Sequence, residues 1–329
     1  MGYDYQIGIV RAKESNLLKK SDWDRIIGFI SLRDTWAELV RINLGYKEVH
    51  DSEIVNNISK AYSNILTNHY KEITEYFIEV ELKKSFLYEF DLFNLKLLYK
   101  QKVFPDLNFE SNLMNAGCFQ SQDLLDYLQD GKSINNFENA ETDSFFADIL
   151  KILKDEKTEL SPLEFDVLLD NYLFDFKIEV AKKLKSDFLL DFWKIQIDFY
   201  NLKFLKQGVN EDFNFVKNGF IEVENWQKIM EESVDGKIKL LAKYGYKNVT
   251  EKAFLAEDTN TADWELAEEN YILEFCEKAV AFSATCEPII AYFYRRYCEI
   301  KNLNRILCNR AFRMNNATME QQISKSWIF

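Results

Sequence analysis

Side chains suited to covalent or acid–base chemistry are scarce in this chain of 329 residues. There are two histidines, His50 and His69, which leaves no room for a three-histidine metal site and little for imidazole acid–base catalysis. Both are expected at the surface. The five cysteines, Cys118, Cys276, Cys286, Cys298 and Cys308, form no C-x-x-C pair and read as reduced core thiols. No G-x-S-x-G elbow accompanies the histidines, and no G-x-G-x-x-G or P-loop glycine pattern is present to cradle phosphates. No catalytic residue, metal, cofactor or direct nucleotide binding is therefore expected.

One polar constellation does recur. The segments Asp91 to Leu98, Asp198 to Leu205 and Glu299 to Ile306 all read acid-x-x-Asn-Leu, with their asparagines 107 and 101 residues apart. Each copy carries an aromatic residue eight positions before its asparagine (Phe86, Trp193, Tyr294) and an aliphatic one four after it (Leu98, Leu205, Ile306). At 100° per residue the acid, the asparagine and the aliphatic positions share one side of a helix, so the polar pair lies on the apolar face. An acid and an amide one turn apart could orient a substrate, but a catalytic pair is rarely triplicated at such spacing. Asp91, Asn94, Asp198, Asn201, Glu299 and Asn302 are read instead as structural positions, each hydrogen-bonding a neighbouring helix end within its own unit, or as contacts for a partner lying along the axis of a closed assembly.

The elements that must carry these pairs are helices. Three prolines and ten glycines are too few for the turns of a many-stranded protein, and none occurs between Gly45 and Pro105. Ile54 to Phe104 is expected to form two long helices. Ser161-Pro162-Leu163-Glu164 reads as a capped helix start, and Asp263 to Arg313 as a helical stretch kinked at Pro288. A second marker repeats at spacings of 101 and 102 residues: a short helix around Trp23, Leu124 and Trp226. Gly117 and Gly219 precede the last two and are expected to be glycine C-caps. These markers divide the chain into helical units at 1–110, 111–215 and 216–329, joined by short polar linkers and packed as one body.

A net charge of −13 opposes attraction to nucleic acid and anionic lipid. No apolar run approaches the roughly 20 residues of a membrane span, and the mixed, charged start of the sequence is unlike a signal peptide, so a cytoplasmic location is expected. Glu231-Glu232, Glu268-Glu269 and Asp155-Glu156 read as solvated acidic pairs. Arg295-Arg296, beside Tyr292 and Tyr294, reads as a locally paired or capping dipeptide, with anion binding as the alternative, and the final Trp-Ile-Phe as either a docked tail or a contact.

The N-terminal YDYQIGIVRAKESNLLKKSDWDRII, the three acid-x-x-Asn-Leu helices and PIIAYFYRRYCEIKNLNRIL from Pro288 to Leu307 together resemble the C-type subunits of bacterial and archaeal V-type/A-type ATPases, which are similar to the d-type subunits of the eukaryotic V-ATPase. The resemblance covers nearly the whole chain. It implies an all-α, funnel-shaped rotor subunit of three similar units in pseudo-threefold arrangement, without an active site. Its implied partners are the central-stalk subunits and the membrane proteolipid ring, on whose cytoplasmic face it would sit. The reading that competes with it is an unrelated helical adaptor or open solenoid.

Overall fold

The computed structural model describes residues 2–109, 112–130, 146, 149, 160–208, 214–255, 261–281, 284–312 and 322–326. Asp155-Glu156 and the final Trp-Ile-Phe lie outside the described residues. Among those described the chain has α-helices, short 3-10 turns and no strand, the consequence of its few glycines and prolines. It divides into two compact units, one of residues 78–231 and one in which residues 1–77 join 232–329.

The central unit holds α5 (Val80–Val103), α6 (Ser121–Asp130), α7 (Pro162–Leu184), α8 (Asp187–Gln207) and α9 (Val223–Glu231). Helix α7 packs against both α5 and α8. Its start follows from local sequence: the Ser161 hydroxyl accepts from the Glu164 N–H, the Glu164 carboxylate accepts from the Ser161 N–H, and Pro162 occupies the first turn, where no N–H is needed. Lys185 ends α7 in the left-handed region (φ 53°), and Ser186 at once caps α8 through the Leu189 N–H, so two long helices meet at a tight corner. Phe86 of α5 and Trp193 of α8, the aromatic residues of the first two repeat copies, meet with ring centroids 6.4 Å apart.

The other unit holds α1 (Asp4–Glu14), α2 (Lys20–Gly28), α3 (Leu32–Arg41) and α4 (Ile54–Thr74), with α10 (Val234–Ala242), α11 (Lys247–Leu255), α12 (Thr261–Cys276) and α13 (Glu287–Ala311). Helix α13 packs along α4 and also meets α1, α3 and α12. Ile300, Leu303, Ile306 and Leu307 on α13 join Trp23, Ile26, Trp36, Leu39, Ile58 and Ile65 in one apolar cluster. Each such fully buried side chain contributes about 1.5–3 kcal/mol of transfer free energy.

Three local expectations need correcting. Pro288 does not kink a helix: α12 ends at Cys276, a 3-10 turn covers Glu277–Ala281, and α13 begins at Glu287 with Pro288 in its first turn. His69 is buried rather than superficial, because it lies on the face of α4 that meets α13; its Nε2 is 2.9 Å from the Phe293 carbonyl and its ring stacks on Phe293 at 5.1 Å. Burial drives its pKa down to about 3, so the ring is neutral and Nε2 donates to the carbonyl. Glu269 is also buried, held by Lys301 at 2.6 Å and by both terminal nitrogens of Arg305 at 2.6 and 2.7 Å. That forked pairing supplies the hydrogen bonds a buried carboxylate requires.

Candidate functional site

The six repeated polar residues are all at most 2% exposed. Such burial demands partners, and every copy finds backbone groups, with side chains added in the third; in the first two copies these lie in the connecting segment beyond the expected unit boundary, not at a helix end within the same unit. In α5 the Asn94 amide donates through Nδ2 to the Met114 carbonyl (2.8 Å) and accepts through Oδ1 from the Met114 N–H (2.9 Å). Asn201 of α8 does the same to Val216, at 2.8 and 2.9 Å. Asn302 of α13 does it to Ser324, at 2.8 Å in both directions, with the Ser324 hydroxyl adding a bond at 3.1 Å. A primary amide carries a donor and an acceptor at the spacing of a peptide group, so one side chain satisfies both polar groups of the residue it faces.

The acids act one helical turn earlier. The Asp91 carboxylate accepts from the N–H groups of Cys118 (2.8 Å) and Phe119 (3.1 Å), and Asp198 from those of Phe220 (3.1 Å) and Ile221 (3.3 Å). Glu299 accepts from the N–H of Leu18 at 2.6 Å and is paired with Arg296. Phe119, Ile221 and Leu18 occupy one register: each lies five residues before the buried marker of a short helix, Leu124 of α6, Trp226 of α9 and Trp23 of α2. Each acid thus holds the chain as it enters one of these helices.

This geometry explains Gly117 and Gly219 differently from the C-caps expected. Neither has a positive φ, and α8 ends on Gly208 (φ 70°) instead. A Cβ built on Gly117 would overlap the Asp91 carboxylate, and one on Gly219 would overlap that of Asp198. The glycines let backbone and carboxylate approach closely. At the matching place before Leu18 stands Asn16, opposite the longer Glu299. Spacing along the helices pointed to all six polar residues, whereas Leu18, 281 residues from Glu299, and Ser324 carry no motif that would single them out.

Electrostatically the copies differ. Burial raises the pKa of Asp91 to about 7, against the opposing pull of its two backbone N–H donors. Arg296 beside Glu299 supplies a positive charge, and burial lowers the pKa of Arg295, which faces Glu14 at 3.6 Å. With their oxygens buried and engaged by backbone N–H groups or, in Glu299, also by Arg296, these carboxylates offer no face to a substrate. Among the described residues no three His, Cys, Asp or Glu side chains gather as a metal site. A cleft of about 410 Å³ beside Trp36, Lys47, Lys60 and Asn64 and one of about 480 Å³ beside Leu163, Val167 and Phe215 are lined by other residues.

The sequence model of the ATP synthase (C/AC39) subunit family matches residues 7–322. The chain belongs to this family. It is thereby a V/A-type ATPase subunit, of a kind that is itself non-catalytic, and its partner is a rotary ATPase complex. No curated protein matches the chain. Among its described residues this C/AC39 protein has no helix long and apolar enough to cross a membrane.

Proposed function

We propose that this C/AC39 protein is the rotor element that couples the central stalk to the membrane proteolipid ring, on the cytoplasmic face, so that ATP hydrolysis elsewhere in the complex drives ion transport, or the reverse. The observation that carries the reading is the family match across residues 7–322. The clamps support it physically. A part that passes torque must resist twisting, and each asparagine and acid, itself buried, fastens a segment outside the helix to the side of a long helix. In this reading the three repeat copies mark three similar helical units, 1–110, 111–215 and 216–329. Their polar pairs serve internal stiffness, and the surfaces that meet stalk and ring lie elsewhere.

The test is affinity purification of the tagged chain from native membranes in mild detergent, with partner identification and an ATPase assay on the same eluate. Stalk, catalytic and proteolipid subunits are expected together with ATP hydrolysis. Recovery of the chain with neither stalk nor ring subunits, from membranes whose ATPase is otherwise intact, overturns the coupling role.

A further inference from the structure

In the first two copies one continuous linker meets both members of the polar pair. Asn94 and Asp91 hold Met114 and Cys118–Phe119, and Asn201 and Asp198 hold Val216 and Phe220–Ile221. In the third copy the same pair on α13 holds two segments far apart in sequence. Asn302 grips Ser324, while Glu299 reaches the N–H of Leu18, 281 residues before it. Leu18 and Ile323 are also members of the same apolar cluster, with Trp23, Ile26 and Ile27 of α2. Further along the helix, the Arg310 guanidinium donates to the Ile27 carbonyl at 2.7 Å, so α13 grips α2 at both its ends.

From this we propose that Glu299 and Asn302 form a two-segment latch, by which the chain entering α2 and residues 322–326 are held, and released, as one unit. Elsewhere a broken clamp leaves a linker tethered to the helices on either side of it. Here neither segment constrains the other through a short stretch of chain, and what joins them is the shared turn of α13 and the shared apolar cluster. Two segments that pack into one apolar cluster and are anchored three residues apart open cooperatively. The residues here differ from the other copies as a set: Asn16 stands where they have glycine, and Glu299, one methylene longer than their aspartates, reaches the Leu18 N–H.

Amide hydrogen exchange on the full chain tests the latch. Ser324→Pro removes both the N–H and the hydroxyl that Asn302 accepts while leaving every residue of α13 unchanged, and Glu299→Ala removes the acceptor for Leu18. Ser324→Pro is expected to speed exchange across residues 18–28 by about tenfold, and Glu299→Ala to do the same at residues 323–326, as fits the loss of one buried charged or amide bond. Asn201→Ala is the comparison, expected to expose residues 214–221 and leave residues 18–28 unchanged. If Ser324→Pro loosens only residues 322–326 while residues 18–28 keep their protection, the segments open independently and the latch is refuted. Should Glu299→Ala fail to fold, Ser324→Pro alone still decides.

Discussion

Replacing Asn201 by alanine isolates the clamp from everything else in the fold. The side chain is fully buried and makes two bonds, at 2.8 and 2.9 Å, both to the backbone of Val216, which is itself buried. Alanine leaves a donor and an acceptor without partners in a place water does not reach, at roughly 1–3 kcal/mol each. The summed cost is about 2–6 kcal/mol, a large part of the roughly 5–15 kcal/mol that holds a typical domain folded. Asn201→Asp sharpens the test. It keeps an acceptor for the Val216 N–H but turns a carboxylate oxygen toward the Val216 carbonyl, so it is expected to be no better than alanine. Urea unfolding followed by tryptophan fluorescence, with exposed Asn64→Ala as the control within about 0.5 kcal/mol of the parent, reads the difference. Losses below about 0.5 kcal/mol for both Asn201 variants would refute the claim that the amide satisfies buried backbone.

Further outcomes follow from the same geometry. Gly117→Ala and Gly219→Ala drive a methyl group into a carboxylate and are expected to cost about 1–3 kcal/mol each by thermal or urea unfolding. Gly8→Ala, inside α1 with no atom near the added carbon, is expected to stabilise by about 0.5–1 kcal/mol. Asp91 has a folded pKa of about 7 against 3.8 unfolded, so the native state binds the extra proton between those values; its contribution falls as pH rises from 4 to 7 and is constant above, a slope that Asp91→Asn abolishes in a stability–pH series. His69 has the opposite sign: with a folded pKa near 3 against 6.5, the unfolded state binds more protons, and stability present above pH 6.5 drains away toward pH 3, a loss that His69→Phe removes. Glu299→Asp is expected to lengthen the bond to Leu18 and lower the melting temperature, and Asn16→Gly in that background to recover part of the loss.

The sequence displayed the helices and the buried polar pairs for one reason: both depend on spacing along a single element. Ile54 to Phe104 became α4 and α5, and Ser161 to Glu164 became the start of α7, because caps and breakers are local. Whatever required knowledge of the opposing surface was hidden. His69 looks like any polar residue on a helix until α13 covers it, and Glu269 looks solvated until Lys301 and Arg305 face it. Gly117 and Gly219 were visible as repeated glycines, but their reason lay in a carboxylate more than twenty residues away in the chain.

An amide that bridges the N–H and the C=O of one residue makes those two bonds whatever that residue's side chain. Met114, Val216 and Ser324 share no chemistry, yet each is held by the same two bonds. The gripping residue is therefore fixed while the side chain it grips is not, and in the connecting segments the repeat shows instead at Gly117 and Gly219, where a carboxylate comes close. A label or cleavage site written into those segments must therefore spare the residue under each asparagine, the N–H groups under each aspartate and the glycine beside them.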